Sequence, residues 1–528
     1  MDVNKIKLEI TRFFKMSGFQ MRTEVAMLLV DKIKEFSLED RKKFLGTALS
    51  NIQNQNIENN SIEIDNVKSI LRDSGNRENF NEESETIFSV INAFDVPSYE
   101  YIKESKKFII KKNKRKLLAP PTSRSEYIRN RYNTILQRIL RHDLFAPNHN
   151  ENIRTSEVES KKFSLKYAEN LLSASTINEV VMLGLLSKFK EGKFYLEDPT
   201  GAIPIDLNEA KFHSGLYTEG GFMLAEGSYN DGVLKVNGLG FPPLEPATSS
   251  RAYFGTQNYW GGPSPTLLKY SKRLLDYERL NFGASLIFLS DCWLDDSNVM
   301  DRLKKLFLGF DDSPPIAIIL MGPFLKNKGS PALLRSKFAQ LSDILDLTFT
   351  LKNETDIVLV PDIEDPTSAN ILPRPPLPQT IVQDMMKKHK RVILATNPCR
   401  LQYCTQEIVV CRLDLLRKLC RNTIKFPENG QLADHFARTL MCQASLTPFI
   451  QLVMPTYWDF DSSLSLYPLP DLIVIGDNST DFQRTHNDCT IVNTGSFPRS
   501  KYSFKLYTPS SKLIEDSQIP DDDNENES

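Results

Sequence analysis

The chain has 528 residues, of which 40% are hydrophobic and 25% charged, which is enough apolar material for roughly three or four domains. Lys and Arg number 65 against 67 Asp and Glu, and the net charge of −2 argues against a protein whose whole surface binds nucleic acid. Seven scattered cysteines, no apolar run of membrane-spanning length and a charged N-terminus predict a soluble intracellular protein without a signal peptide or a disulfide framework.

Residues 1–75 carry apolar side chains at helical spacing, and Ser37 to Asp40 resembles a capping box ahead of one such run. The pattern predicts an N-terminal bundle of four short helices. Either its polar faces are only solvated or they dock a partner. The periodic residues are Ile6, Ile10, Phe13, Phe14, Val25, Leu28, Leu29, Ile33, Phe36, Phe44, Leu45, Leu49, Val67, Ile70 and Leu71.

Residues 76–125 are polar and predict a linker. Within it, eight of the fourteen residues 103–116 are Lys or Arg. This strip is compatible with a nuclear-import signal at 111–116, with a phosphate-binding strip or with a solvated linker. The apolar stretch 93–101 is expected to dock as a strand. The next segment, 126–159, begins with a predicted amphipathic helix whose apolar side carries Tyr132, Ile135, Leu136, Ile139 and Leu140.

Residues 160–262 change to short alternating strands with glycine-bearing turns, including the tight-turn sequence 198–201. The spacing predicts an OB-fold, a small barrel that binds single-stranded nucleic acid or another protein. A nucleic-acid groove needs cations and exposed aromatic rings. Acidic residues crowd the same strands, which favours protein binding over DNA. The candidate residues for a DNA surface are Lys188, Phe189, Lys190, Lys193, Phe194 and Tyr195, and the acidic residues are Glu191, Glu197, Asp198, Asp206 and Glu209.

Residues 263–514 alternate apolar strands with helices and predict an α/β sandwich, whose functional residues would lie where strands end. Six apolar runs are the expected strands: 284–291, 315–322, 356–362, 391–398, 407–414 and 471–477. The acidic residues 515–528 have no large apolar side chain after Ile519 and predict a disordered tail. The fold class is therefore multidomain α+β: a helical domain, an OB-fold barrel and an α/β sandwich.

The strand ends of the sandwich invite comparison with two-metal phosphoesterases, which need His and Asp ligands around two ions. Their signature is Asp-x-His, Gly-Asp, Gly-Asn-His-Asp/Glu and Gly-His-x-His, and most of these ligands are replaced here by residues unsuited to hold a metal pair. The degenerate positions are Asp291, Trp293, Pro323, Ile363, Glu364, Asp477 and Ser479. No catalytic residue, metal or cofactor is predicted. Neither a phosphate-binding loop nor a nucleophile elbow is present, and Cys399 and Cys404 lack a second ligand pair for zinc.

An OB barrel followed by a phosphoesterase fold without its ligands resembles the B-subunit family of replicative DNA polymerases, in particular its epsilon branch. The resemblance covers nearly the whole chain and is weakest in the helical domain. Thr494 departs from it, since family members often have proline there. The strings that carry the resemblance are KEGKFYLEDPTG (190–201), KFHSGLYTEGGF (211–222), GFPPLEP (240–246), RAYFG (251–255), EDPTSANILPRPPL (364–377), TNPCRLQYCTQEI (396–408) and NTGSFPRS (493–500).

The resemblance implies a non-catalytic scaffold in the nucleus, with an inactivated calcineurin-like phosphoesterase domain. It implies that the OB and phosphoesterase-like domains hold the cysteine-rich C-terminal region of the catalytic subunit of DNA polymerase epsilon. It also implies that a helical domain similar to the lid of AAA+ ATPases reaches the replicative helicase through GINS, for DNA replication, origin firing and repair. Small histone-fold subunits would be indirect partners and DNA a partner within the complex, with no membrane contact. Two alternatives stay open: a metal-dependent phosphoesterase with altered ligands, and an autonomous single-strand-binding OB protein.

Overall fold

The computed structural model describes residues 86–111, 114–145, 163–190 and 192–520, and, nearer the N-terminus, residues 3–16, 20–21, 25–27, 29–30, 45 and 61–62. The chain forms two compact units, Met1–Thr86 and Ile87–Ser528. Within these described ranges, no helix is long and apolar enough to cross a membrane.

The first unit contains helix α1 (Val3–Met16), in which Ile10 and Phe14 are fully buried. Strands β1 (Gln20–Met21) and β2 (Ser61–Ile62) pair in parallel. The prediction of a wholly helical domain was therefore wrong at this pairing, because two-residue strands are too short to show an alternating pattern. The predicted capping box and the predicted helix near residues 67–71 lie outside the described residues.

The second unit begins with strand β3 (Phe88–Asn92) and a hairpin formed by β4 (Tyr99–Ile102) and β5 (Lys107–Ile110). These elements correct the linker predicted over 76–125. Phe108 is fully buried, and its ring stacks on Phe254 with centroids 4.4 Å apart. A few apolar side chains fix this segment to the body of the protein, although its overall composition is polar.

Helix α2 (Thr122–Ile139) joins the hairpin to the barrel. Tyr132, Ile135, Leu136 and Ile139 are buried against barrel residues as predicted, whereas Leu140 follows the helix and is 41% exposed. The helix thus packs on the barrel through one apolar side.

The barrel follows the short helix α3 (Ala168–Leu172). Its sheet has the order β10-β6-β7-β8-β11-β9, and an additional pairing of β10 with β11 closes it, which confirms the predicted OB-fold. Asp198 accepts hydrogen bonds from the backbone of Thr200 and Gly201 and so forms the predicted turn. The strands are β6 (Thr176–Lys190), β7 (Lys193–Asp198), β8 (Gly201–Asp206), β9 (Lys211–Phe212), β10 (Phe222–Asn230) and β11 (Val233–Gly240).

The sandwich contains two six-stranded sheets. Its helices are α4 (Ala247–Ala252), α5 (Lys272–Leu280), α6 (Ser297–Gly309), α7 (Pro331–Leu345), α8 (Leu351–Glu354), α9 (Gln379–Lys388), α10 (Leu415–Asn422) and α11 (Leu432–Gln443), with 3₁₀ turns at Leu268–Tyr270 and Trp458–Leu464. Its strands are β12 (Leu286–Leu289), β13 (Ala317–Met321), β14 (Asp356–Val360), β15 (Val392–Leu394), β16 (Cys399–Tyr403), β17 (Gln406–Cys411), β18 (Leu472–Ile475), β19 (Phe482–His486), β20 (Cys489–Asn493), β21 (Ser503–Thr508) and β22 (Leu513–Gln518).

The first sheet has the order β15-β14-β13-β12-β21-β22 and the second β19-β20-β18-β17-β16-β3. One apolar core lies between the sheets and includes Phe288, Ile319 and Val410. Helices α6, α7 and α9 cover the outside of the first sheet, and α10 and α11 cover the second. The result is the four-layered α/β sandwich predicted from the apolar strands, since strands buried on both faces have continuous apolar sequences.

Two predicted boundaries are corrected. Glu515 to Gln518 belong to β22, and Ile519 is 5% exposed, so the ordered sheet extends into the predicted tail; residues 521–528 lie outside the described residues. Residues 247–262, assigned to the barrel, pack on the sandwich instead: the guanidinium of Arg251 bonds Glu407 at 2.6 Å, in β17. A buried ion pair between distant segments leaves no periodic signal in the sequence.

Candidate functional site

The carboxyl ends of β12, β13, β14, β17 and β18 converge on one buried guanidinium, that of Arg412. Its Nη2 donates to Asp291 Oδ1 at 2.6 Å, and its Nη1 donates to Asp414 Oδ1 at 3.0 Å. Asp362 Oδ2 lies 3.6 Å from Nη2. Arg412 is 3% exposed, so its positive charge is enclosed by carboxylates of both sheets.

Two glycines leave room for Arg412 and for the Asp365 carboxylate beside it. The carbonyl oxygens of Gly322 and Gly476 accept hydrogen bonds from Arg412 Nε and Nη1 at 2.6 and 2.7 Å. A Cβ on Gly476 would lie 2.9 Å from Arg412 Cδ, and one on Gly322 would lie 2.3 Å from a carboxylate oxygen of Asp365. The arginine therefore has five hydrogen-bonding or ionic partners, and the surrounding backbone is shaped to it.

Burial and charge act against each other at this cluster. Burial alone would lower the pKa of Arg412, but the charges of Asp362 and Asp291 outweigh it and hold that pKa above its ordinary value. Burial raises the pKa of Asp362, because Arg412 offsets only part of the desolvation. Burial likewise raises the pKa of Asp365 to about 6, against two backbone hydrogen bonds from Phe324 and Asp362.

Of the seven degenerate positions, Asp291 alone binds Arg412 directly. Asp477 is 1% exposed, and its carboxylate accepts from the backbone N–H of Leu416 at 2.8 Å, at the start of α10. Burial raises the pKa of Asp477, against the hydrogen bonds from Ser479. The carboxylates that follow β12 and β18, Asp291 and Asp477, thus bind other groups of the protein.

The other degenerate positions make different contacts. Trp293 packs in the core under α6, and Lys326 and Arg499 lie 5.3 and 5.4 Å from its ring centroid. Pro323 follows Gly322, and Ile363 packs towards the core under α11, whereas Glu364 is exposed. Ser479 accepts hydrogen bonds from the side chain of Asn493 at 3.2 Å.

The sequence interpretation missed Arg412 and the roles of Asp362 and Asp414. A signal was present: Arg412 and Asp414 follow the apolar strand β17 directly, just as Asp291 follows β12. Strand-end polar residues next to a buried strand are candidates for one shared site. An acidic residue after one strand and a basic residue after its neighbour in space indicate an ion pair and not a set of metal ligands.

The residues present do not fit a pair of metal ions. The centre of the cluster holds the guanidinium of Arg412, and its contacts are carboxylates and carbonyl oxygens without histidine. Across the described ranges, no group of three or more His, Cys, Asp or Glu side chains is arranged to hold a metal. The fixed positive charge of Arg412 repels a metal ion, so the site is unsuited to metal-assisted hydrolysis.

The candidate DNA surface of the barrel lies at the β6–β7 turn. Phe189 is 59% exposed, and its ring centroid is 5.0 Å from that of Tyr195. Phe194 packs towards the barrel core and has Lys188 Nζ 6.0 Å from its ring. Lys190 and Lys193 are exposed beside this turn. The rings of Phe189 and Tyr195 thus lie together at this turn, whereas Lys188 lies beside the ring of Phe194.

One side of α11 joins the barrel to the sandwich. Gly215 N donates to His435 Nδ1 at 2.9 Å, and Leu216 N donates to Thr439 Oγ1 at 2.9 Å. Gln443 accepts from Phe222 N at 2.7 Å and donates to Phe222 O at 2.6 Å. His435, Thr439 and Gln443 are four residues apart and therefore face one side of the helix. They satisfy backbone groups of the loop before β10 and of Phe222, the first residue of that strand.

Three protein families match separate parts of this chain. The family of DNA polymerase alpha/epsilon B subunits matches residues 286–484, and the OB-fold domain of proteins like DNA polymerase epsilon subunit 2 matches residues 121–243. A third family, the N terminus of DNA polymerases epsilon, matches residues 2–74. The barrel and the sandwich of this chain thus match the OB-fold and B-subunit families of replicative DNA polymerases.

The chain belongs to the family of DNA polymerase epsilon subunit 2. DNA polymerase epsilon subunit 2 of Drosophila melanogaster is 48% identical over 99% of this chain and 100% of its own length. The Homo sapiens protein of that name is 40% identical over 96% of this chain and 97% of its own. An archaeal phosphodiesterase structure matches 44% of this chain and 99% of its own at 10% identity, with a TM-score of 0.25 that carries no argument about activity.

Proposed function

We propose that this chain is the non-catalytic second subunit of DNA polymerase epsilon in chromosomal DNA replication. The observation that carries the proposal is the closure of the strand-end site by Arg412, in a chain similar over nearly its full length to polymerase epsilon subunits. A phosphoesterase-like sandwich whose ion site is filled by its own side chain offers its surfaces and not a reaction.

The proposed role of the second unit is to hold the C-terminal cysteine-rich region of the catalytic subunit. Its support is the rigidity of the joint between barrel and sandwich, in which buried backbone groups are satisfied across α11. The described residues from Ile87 onwards belong to one compact unit. A preformed platform binds a partner without the entropic cost of ordering itself.

The proposed role of the first unit is to reach the replicative helicase through GINS and so to assist origin firing. Its support is the match of residues 2–74 to the polymerase epsilon N-terminal family and its separation as a compact unit. The same assembly would place the chain in the nucleus, bring it near DNA and the small histone-fold subunits, and involve it in repair.

Co-purification tests the proposal. A tagged full-length chain should recover the catalytic subunit of DNA polymerase epsilon, and the purified chain should not hydrolyse an aryl phosphate with manganese beyond the rate measured without protein. Metal-dependent turnover that D291A abolishes would overturn the scaffold role in favour of the phosphoesterase alternative. Failure of the tagged chain to co-purify with the catalytic subunit would also overturn the scaffold role.

A further inference from the structure

A polar cavity of about 340 Å³ lies on the second unit, away from both the strand-end site and the β6–β7 turn of the barrel. Its walls are the segment after β5, the first turns of α2 and the 3₁₀ turn Trp458–Leu464. Cavities of roughly 300–1,000 Å³ are typical of small-ligand sites. The walls also include residues 98–99 and 443–445, so distant parts of the sequence meet here and the cavity exists only in the folded unit.

The cavity is lined by more positive than negative side chains. Five cations line it, against three carboxylates: Lys111, Lys114, Arg115, Lys116 and Arg131 against Glu126, Asp459 and Asp461. Two of the five cations are paired, because Arg131 binds Asp461 and Lys111 lies 2.7 Å from Glu100. Lys114, Arg115 and Lys116 are therefore the cations that remain for an added anion. Asp459 accepts from the backbone N–H of Lys116. The chain as a whole has a net charge of −2, so this is a local concentration of positive charge.

The guanidinium of Arg115 is held in place without a carboxylate. It donates to the carbonyl oxygens of Val96 and Phe94 at 2.6 and 2.5 Å, and it lies 4.8 Å from the ring centroid of Phe460. The charges of Asp95 and Asp459 also act on this guanidinium, but neither carboxylate forms its hydrogen bonds. A guanidinium held in a fixed position favours an anionic oxygen ligand.

The surroundings indicate a chain of phosphates. Lys103, Lys106 and Lys107 are exposed on the hairpin that leads into the cavity, so the basic strip continues beyond it. Tyr127 and Trp458 line the cavity and are only partly buried. Sites for single-stranded nucleic acid combine such a cationic track with aromatic rings on which bases stack.

We propose that this cavity and the basic hairpin bind the phosphate backbone of single-stranded DNA, with one nucleotide seated between the cations and Trp458. This assigns a phosphate-binding role to the strip, for which the sequence analysis also left nuclear import and a solvated linker open. The surface is distinct from the predicted groove of the OB-fold.

Fluorescence anisotropy with a labelled oligo-dT of about 20 nucleotides tests the proposal on the full-length chain, from about 50 to 200 mM salt. Replacing Lys114 and Lys116 together (K114A/K116A) should weaken binding about tenfold and lower the salt slope by about 1.4, the value for two single-strand phosphate contacts. Both side chains are exposed, so the variant should fold. The matched control, K387A/K390A, removes two exposed lysines on the opposite side of the sandwich and should leave binding within about twofold.

Tryptophan fluorescence gives a second readout. The chain has three tryptophans, and Trp260 and Trp293 are 2% and 7% exposed, so quenching by oligo-dT should come from Trp458 and vanish in W458F. Binding unaffected by K114A/K116A, no salt-dependent binding, or binding of a phosphoserine peptide in place of oligo-dT would each overturn the proposal. Co-purification of K114A/K116A with the catalytic subunit should be unchanged, which separates this inference from the proposed function.

Discussion

At the scale of single residues, Arg412 explains why the strand-end carboxylates of this fold can stay buried together. Isolated ionised carboxylates in an apolar interior are strongly unfavourable, and a guanidinium that donates to several of them removes most of that cost. Arg412 also binds two backbone carbonyls, and it therefore fixes the relative positions of β12, β13 and β18. The residue that excludes a metal also stabilises the fold.

Removing this cation should be costly. We expect R412M to lower the free energy of unfolding by about 3–5 kcal/mol, because it leaves Asp291 and Asp362 buried without a counter-charge. Urea unfolding of the full-length chain measures the change. The control R335M removes a half-exposed arginine that pairs with Asp384 and should change stability by less than about 1 kcal/mol. Equal stability of R412M and wild type would contradict the role given to Arg412.

Asp365 gives a pH-dependent prediction. Its folded pKa of about 6 exceeds the unfolded value, so the protonated carboxyl is favoured in the folded state, and its contribution to stability grows as pH falls from 7 through 6. The free energy of unfolding of wild type relative to D365N should therefore rise by about 1 kcal/mol between pH 7 and pH 5. Urea titrations at the two pH values measure it. A difference that shrinks on acidification would contradict the raised pKa.

At the scale of elements, the apolar runs of the sequence predicted six strands of the sandwich and missed strand β16, which carries buried polar side chains. Strand β16 contains Arg400 and Gln402, both buried, and Arg400 donates to the carbonyls of Tyr259 and Trp260. A charged residue in a short segment indicates exposure unless its distant partners are known. Asp291 was identified because it matches the first position of the phosphoesterase signature. Arg412 matches no signature, and its distant partners are visible only in the fold.

Helix α11 should control the joint between barrel and sandwich. We expect Q443A to destabilise the chain by about 2 kcal/mol or more, since it leaves the buried N–H and C=O of Phe222 unpaired. Faster proteolysis of the loop 215–222 together with a lower urea midpoint is the expected result. The exposed Gln340 provides the control Q340A, for which no change in either measurement is expected. A Q443A joint as resistant as that of wild type would show that other contacts hold it.

At the scale of the whole molecule, the division of the chain lies near residue 86 and not near 125. A fragment 125–515 would lack β3, which pairs with β16, and would cut β22 after three of its six residues. We expect fragment 87–528 to show one cooperative unfolding transition and fragment 125–515 to be less stable or insoluble. Calorimetry of the two fragments decides between these boundaries. An equally stable shorter fragment would restore the predicted linker.

The proposed division of labour between the two units is tested most directly by one pull-down with three proteins. Tagged fragment 87–528 is mixed with the C-terminal region of the polymerase epsilon catalytic subunit and with GINS, beside the full-length chain as control. The account predicts that the fragment retains the catalytic region and loses GINS, whereas the full-length chain retains both. Loss of the catalytic region from the folded fragment, or retention of GINS by it, would contradict the account.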